Sequence, residues 1–160
     1  MPTYDYVIVG GGIIGLSIAY VLKSNNPKYT LAIIDKEPAV AQHASGRNSG
    51  VLHAGFYYSS DSLKATLCVK GNREMKDFCS KANIPINPCG KLVVAQNQAE
   101  LETLYALGKR GLKNGCHVEL ITEKQAQTIE PSVKTYQAAL WSPQTASVNP
   151  KEVCKALADK

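Results

Sequence analysis

An α/β fold opening on a parallel strand–helix–strand unit is predicted by three observations. Val7-Ile8-Val9 is an uninterrupted β-branched run, the pattern of a strand buried on both faces. Gly10-x-Gly12-x-x-Gly15 follows at once and opens an apolar segment at helical spacing through Ile13, Leu16, Tyr20 and Val21. After Ser24-Asn25-Asn26-Pro27, the run Thr30-Leu31-Ala32-Ile33-Ile34 reads as a second buried strand, and it ends in Asp35.

The three glycines have separate physical tasks. Gly10 permits a sharp turn, Gly12 lets the backbone approach a pyrophosphate, and Gly15 lets the helix lie close on the strand. A helix N-terminus adds unpaired N–H groups and partial positive charge for the phosphates. Asp35, twenty positions after Gly15, stands where such a unit places the acid that binds an adenosine ribose. The alternative is a strand–helix–strand unit whose glycines serve packing alone. A phosphate loop of the nucleotidase type is excluded, because no Gly-Lys-Ser/Thr follows the glycines.

Composition narrows the classes. The 160 residues are 44% apolar and 19% charged, which is globular material rather than a disordered chain. A formal charge of +5 suits anionic ligands such as a dinucleotide or a dicarboxylate, but the lysines form no basic run, which argues against a nucleic-acid partner. Cys68, Cys79, Cys89, Cys116 and Cys154 are odd in number and widely spaced, so the simplest reading is a reduced, cytosolic chain without a zinc site. Near the N-terminus the apolar residues are broken by glycines and lack a basic leader, giving no sign of a signal peptide or membrane span.

Downstream of Asp35 and Lys36, the stretch His43-Ala44-Ser45-Gly46-Arg47-Asn48-Ser49-Gly50 is dense in hydroxyls, glycine and one arginine. That is the chemistry of a backbone wrapping a polyphosphate, and equally of a solvated connection. His53 follows in the apolar and aromatic run Val51 to Tyr58, where it is either a packed core histidine or a catalyst.

The remainder reads as scaffold. Asp61 to Lys81 is expected to be a helix burying Leu63, Leu67, Met75, Phe78 and Ala82, closed by Asn83-Ile84-Pro85. Lys64 on this helix is a candidate for anion contact. Gly90 to Ala95 is a strand, and Asn97-x-x-Glu100 caps a helix carrying Leu101, Leu104 and Leu112 that stops at Asn114-Gly115. His117 to Leu120 is a short strand, Thr122-x-x-Gln125 caps a short helix, and Gln137 to Trp141 is another strand. Asn149-Pro150-Lys151-Glu152 starts a last helix with a cap, a proline in the first turn and an acid.

Taken together, the glycine series, Ile-Ile-Asp-Lys-Glu at 33–37 and Ser45-Gly46-Arg47-Asn48-Ser49-Gly50-Val51-Leu52-His53-Ala54-Gly55-Phe56-Tyr57-Tyr58 resemble the FAD-dependent oxidoreductases of the D-amino acid oxidase superfamily. Ser62-Leu63-Lys64-Ala65 and Cys68-x-x-Gly71-Asn72-Arg73 are most similar to the L-2-hydroxyglutarate dehydrogenases and oxidases. One departure is Gln144 to Asn149, where that family usually has Thr-Gly leading to an aspartate. The resemblance implies a Rossmann-like FAD-binding segment over 1–82, part of an α+β substrate domain over 83–145, and a return to the FAD-binding domain over 146–160. It implies FAD as cofactor, with Gly10, Gly12 and Gly15 at the pyrophosphate and Asp35, followed by Lys36, at the ribose. Ser45, Arg47, Asn48 and Ser49 would lie along the pyrophosphate and ribityl chain. His53 would be the catalytic residue near the flavin, polarising it or taking the proton from the substrate hydroxyl. It further implies a small 2-hydroxy acid substrate, oxygen or a quinone as electron acceptor, and a cytoplasmic enzyme or one peripheral to the inner membrane. Members of that family are far longer than this chain, so an N-terminal portion is expected, with a second chain that could complete the fold. The strands from Gly90 and Gln137 would then begin a sheet with open edges.

Overall fold

In the computed structural model, which describes residues 2–160, the chain runs through eight strands and five α-helices. In order these are β1 (Tyr6–Val9), α1 (Ile13–Asn25), β2 (Leu31–Ile34), a 3-10 turn (Ala44–Gly46), β3 (Val51–Leu52), α2 (Leu63–Lys81) and β4 (Ile86–Asn87). Then follow β5 (Lys91–Val94), α3 (Gln98–Lys113), β6 (Glu119–Thr122), α4 (Glu123–Ile129), β7 (Ala138–Ser142), β8 (Ala146–Val148) and α5 (Pro150–Ala158). The chain divides into two compact units: residues up to Gly50 with Ala82–Pro85 and Val148–Lys160, and Val51–Lys81 with Ile86–Ser147. No helix among the described residues is long and apolar enough to cross a membrane.

The first unit is built on the predicted strand–helix–strand. β1 and β2 pair in parallel, from Tyr6 opposite Leu31 to Val9 opposite Ile34. Asp5 closes the start of the ladder, its carboxylate accepting the Thr30 N–H at 2.7 Å, and the Gly10 N–H reaches the Ile34 carbonyl at 2.7 Å at the other end. α1 packs against α5, and Leu16, Ala19, Val153, Cys154 and Leu157 are buried. Asn149 caps α5 through its side chain, with Pro150 in the first turn, as the sequence predicts.

One expectation fails here. The two strands are not buried on both faces: Val7 is 54% exposed and Val9 85%. The Ile8 side chain lies under Gly15 of α1, so by strand alternation Val7 and Val9 point to the opposite side. Only two strands form this sheet among the described residues, and Val7, Val9 and Ile34 are exposed on it.

In the second unit, β5, β7 and β6 form an antiparallel sheet with β7 in the centre. The strands read from Gly90 and Gln137 are thus direct partners, Lys91 standing opposite Ser142. β3, β8 and β4 make a second small sheet; at two or three residues each, these strands are too short for a periodicity signal. The β6 strand begins at Glu119, two residues later than read, because His117 ties its backbone N–H to the Gln144 side chain at 3.0 Å. α3 presents Leu101, Leu104, Leu107, Gly108 and Gly111 to a core that also holds Phe56, Val118 and Leu140. Leu112, expected inside, is 63% exposed.

Of the α2 stripe read as buried, Met75, Phe78 and Ala82 are half-buried, but Leu63 and Leu67 are exposed. Leu63 is 79% exposed, and Ala65, Asn72 and Cys79 are inside. The larger residues gave the stronger apolar stripe, but the backbone at Gly55 passes so close to α2 that a side chain there would meet Val69 at 2.8 Å. Small and polar residues suit that approach better than leucine. The capping predictions hold for Asn97, which accepts from the Glu100 N–H, and for the full capping box of Thr122 and Gln125.

Candidate functional site

The glycine turn sits where β1 passes into α1. Gly10 has φ of +109°, a conformation open to glycine and strained for other residues, with free space where a side chain would be. A Cβ at Gly15 would collide with the Gly10 carbonyl, so the helix can approach the turn only because Gly15 has none. Gly12 is the N-cap of α1, with no side-chain cap and no acid in the first turn. A cleft of about 480 Å³ opens at this point, lined by Gly10, Gly12, Ile13, Ile14, Ser45 and Asn48. It combines a helix N-terminus whose own N-cap residue brings no side chain with a turn stripped of side chains, the arrangement that accepts a phosphate.

The loop after β2 is fastened to this turn. Ser45 Oγ accepts the Ile13 N–H at 2.9 Å, and a Cβ on Gly12 would stand 2.9 Å from the same oxygen. Asn48 holds the loop's shape: its amide donates to the carbonyls of Ala44 and Ser45 at 3.0 and 2.9 Å, and its Oδ1 accepts the Gly50 N–H at 2.8 Å. Arg47 and Ser49 are exposed on the same loop, and Lys36 is exposed next to Asp35. Asp35 itself accepts the Gly11 N–H at 2.6 Å and the Glu37 N–H at 2.9 Å, one on each carboxylate oxygen. The Glu37 bond and then the Gly11 bond hold its carboxyl below the ordinary value of 3.8, so it stays ionised. Each oxygen keeps a lone pair for a ribose hydroxyl. The nine residues expected to contact the cofactor, Gly10 to Ser49, therefore all lie in the first unit, and the turn and loop fit the phosphate-binding part of a dinucleotide.

His53 belongs to the second unit, directly after β3. Its neighbours Ala54 and Phe56 are buried, while His53 and Tyr57 are exposed. Partial burial, with the Lys91 cation as a second cause, pushes the His53 imidazole below its ordinary 6.5, so it is neutral and basic at neutral pH. Lys91 Nζ lies 4.8 Å from the ring centroid of Tyr57, and Lys64 Nζ lies 4.5 Å from that of Tyr58. Neither lysine pairs with a carboxylate among the described residues. The sequence marks Lys64 as a candidate for anion contact; half-buried Lys91 it does not mark, because nothing in its strand distinguishes it from other lysines. His117, by contrast, pairs with Glu119 at 2.7 Å on the surface.

Residues 5–160 match the model of the family described as FAD dependent oxidoreductase. The chain is 43% identical over 157 residues to the mitochondrial L-2-hydroxyglutarate dehydrogenase of Dictyostelium discoideum, covering 97% of this chain and 35% of that protein. It is 41% identical over 155 residues to L-2-hydroxyglutarate dehydrogenase of Escherichia coli (strain K12), covering 97% of this chain and 36% of that one. Among solved structures, L-alpha-glycerophosphate oxidase from Mycoplasma pneumoniae with FAD bound superposes with a TM-score of 0.89 at 30% identity, over 99% of this chain and 42% of the other. The chain thus spans about a third of the length of the curated relatives it matches. Given a family match from residue 5 to residue 160 and a glycine turn shaped for phosphate, the chain belongs to the FAD dependent oxidoreductases.

Proposed function

We propose that this chain forms the FAD-binding portion of an enzyme that oxidises a small 2-hydroxy acid, L-2-hydroxyglutarate to 2-oxoglutarate. The observation that carries the proposal is likeness over nearly the whole chain to proteins named for that substrate. The +5 charge and the two lysines without acid partners, Lys64 and Lys91, support a dianionic substrate. When bound, FAD supplies the two-electron acceptor that takes the hydride from the carbon bearing the hydroxyl.

The chain's own residues divide the remaining work. Gly10, Gly12 and Gly15 admit the pyrophosphate, Ser45, Arg47, Asn48 and Ser49 shape the loop around it, and Asp35 with Lys36 beside it takes the ribose. His53, neutral before turnover, accepts the hydroxyl proton as the C–H electrons leave as hydride, so alcohol becomes ketone with one proton and one hydride accounted for. Oxygen or a quinone then receives the two electrons.

Titration of the chain with FAD, followed by flavin fluorescence, tests the cofactor. NAD bound more tightly than FAD would overturn it. For the substrate, the chain is joined to the C-terminal two thirds of the Dictyostelium relative and supplied with a dye acceptor. L-2-hydroxyglutarate is expected to reduce the dye faster than glycerol 3-phosphate or amino acids. The likeness to glycerophosphate oxidase makes glycerol 3-phosphate the second reading, and preferential turnover of it would replace the first. A flavin-loaded chimera inert to all of them would favour a non-catalytic dinucleotide-binding remnant or a subunit of a split enzyme.

A further inference from the structure

The motif Cys68-x-x-Gly71-Asn72-Arg73 has no part in the chemistry above, yet two of its side chains converge on the backbone of the His53 segment. Asn72 is one of few buried polar residues, on the inner face of α2. Its amide nitrogen lies 2.9 Å from the Leu52 carbonyl, 3.3 Å from that of His53 and 3.2 Å from that of Gln144. Cys68, one turn earlier on the same helix, donates its thiol to the His53 carbonyl at 3.4 Å. Cys116 does the same for the Ala54 carbonyl at 3.0 Å. From the end of α3, Asn114 donates to the carbonyls of Gly55 and Tyr58 at 3.0 and 2.9 Å, and Arg110 to that of Tyr57 at 3.1 Å.

A connection of this kind ordinarily turns its carbonyls to water. Between Leu52 and Tyr58 every carbonyl except that of Phe56 meets a side-chain donor instead. The Asn114 Oδ1 is left buried without a partner. Reversing that amide would set an oxygen against two carbonyl oxygens, so the donors are what the position requires. The consequence concerns direction. Ala54 and Phe56 are buried while His53 and Tyr57 are exposed, and rotation of this backbone would exchange the two sets.

We propose that Asn72, assisted by Cys68 and Asn114, is a positioning residue that fixes the backbone of residues 52–58 and thereby aims the His53 imidazole. The inference rests on the reading of His53 as the base. Gln144, the departure from the family pattern, belongs to the same device: its carbonyl also accepts from Lys76 at 2.6 Å.

The test uses the full 160-residue chain without cofactor. Its three histidines give three imidazole Hε1 signals by NMR, and the one lost in His53→Asn assigns that residue. Asn72→Leu keeps nearly the same shape, adds no charge and removes both donors. The His53 signal is expected to shift and its titration midpoint to rise towards that of a free imidazole, while the His43 signal, in the other unit, does not shift. A general loss of stability would not move His53 alone. Should Asn72→Leu fail to fold, Cys68→Ala is expected to move the same signal by less, and Cys68→Ser to restore it. An unmoved His53 signal in folded Asn72→Leu, or in Cys68→Ala where the first variant does not fold, overturns the proposal. If the chimera with the Dictyostelium relative binds no FAD while Asn72→Leu moves the signal in the chain, the functional reading falls and the clamp stands. If the chimera binds FAD and the signal does not move, the clamp falls and the functional reading stands.

Discussion

A single oxygen, Ser45 Oγ, measures how little room the glycine turn has to spare. It already accepts the Ile13 N–H, and a side chain on Gly12 would press on it at 2.9 Å. Gly12→Val is therefore expected to abolish FAD binding in a fluorescence titration, while Ser45→Ala weakens it and leaves the turn formed. Asp35 gives a pH signature. Its folded pKa lies below the unfolded 3.8, so the stability it contributes is fully present above that value and is lost as pH falls through the folded pKa. Melting temperatures taken between about pH 5 and pH 2 should fall less steeply for Asp35→Asn than for the parent; parallel curves would refute the assignment. His53 runs the other way in function. With its folded pKa below 6.5, it is still a base slightly below that pH, and the acid limb of kcat/KM in a reconstituted enzyme should fall below 6.5. His53→Asn is expected to keep its flavin and to lose roughly a hundredfold to ten-thousandfold in the rate of flavin reduction. Reduction at the parental rate would remove His53 from the mechanism.

Among the elements, Gly111 of α3 and Gly71 of α2 have opposite roles. At Gly111 of α3, a Cβ would stand 2.8 Å from Val118 and 2.9 Å from Phe56, both core residues. Gly111→Ala is expected to destabilise by about 1–3 kcal/mol through overpacking. At Gly71 of α2 nothing lies within 4 Å. Gly71→Ala should stabilise by roughly 0.5–1 kcal/mol, because alanine loses less conformational entropy in a helix. Urea melts of the two variants, run side by side, check the sign of each. Gly71 stands in the motif on which the resemblance to the L-2-hydroxyglutarate dehydrogenases was read, yet no packing contact requires it.

For the molecule as a whole, the exposed apolar residues of β1, β2 and α1 are expected to govern behaviour in solution. Val7, Val9, Ile34 and, on α1, Ile14, Ile18 and Val21 are all exposed, and an apolar surface beside two unpaired strand edges favours association. Sedimentation velocity of the isolated chain is expected to show mass rising with concentration, and Val7→Lys with Val9→Lys to reduce it. A parent chain that stays monomeric at all concentrations would show that this face is tolerated as it stands.

Some of this architecture is legible in the residues alone. Strand, glycine turn, helix and terminal Asp35 could be read because each depends on neighbours a few residues away: a turn demands glycine, a cap demands Asn97, Thr122 or Asn149, and a strand favours branched residues. That residues 43–50 form a loop was legible for the same reason, from their hydroxyls and glycines. The exposure of Leu63 and Leu67 on α2 was not, since the approach of Gly55 and the need of distant carbonyls for donors outweigh their place in the apolar stripe. Exposure of Val7 and Val9 was equally hidden, because a strand's own residues do not tell how many strands will cover it. Local backbone chemistry thus set the site's vocabulary, and long-range contacts from Asn72, Asn114 and Cys116 decided how the His53 segment is held, since the groups they satisfy lie 20, 59 and 62 residues away in the chain.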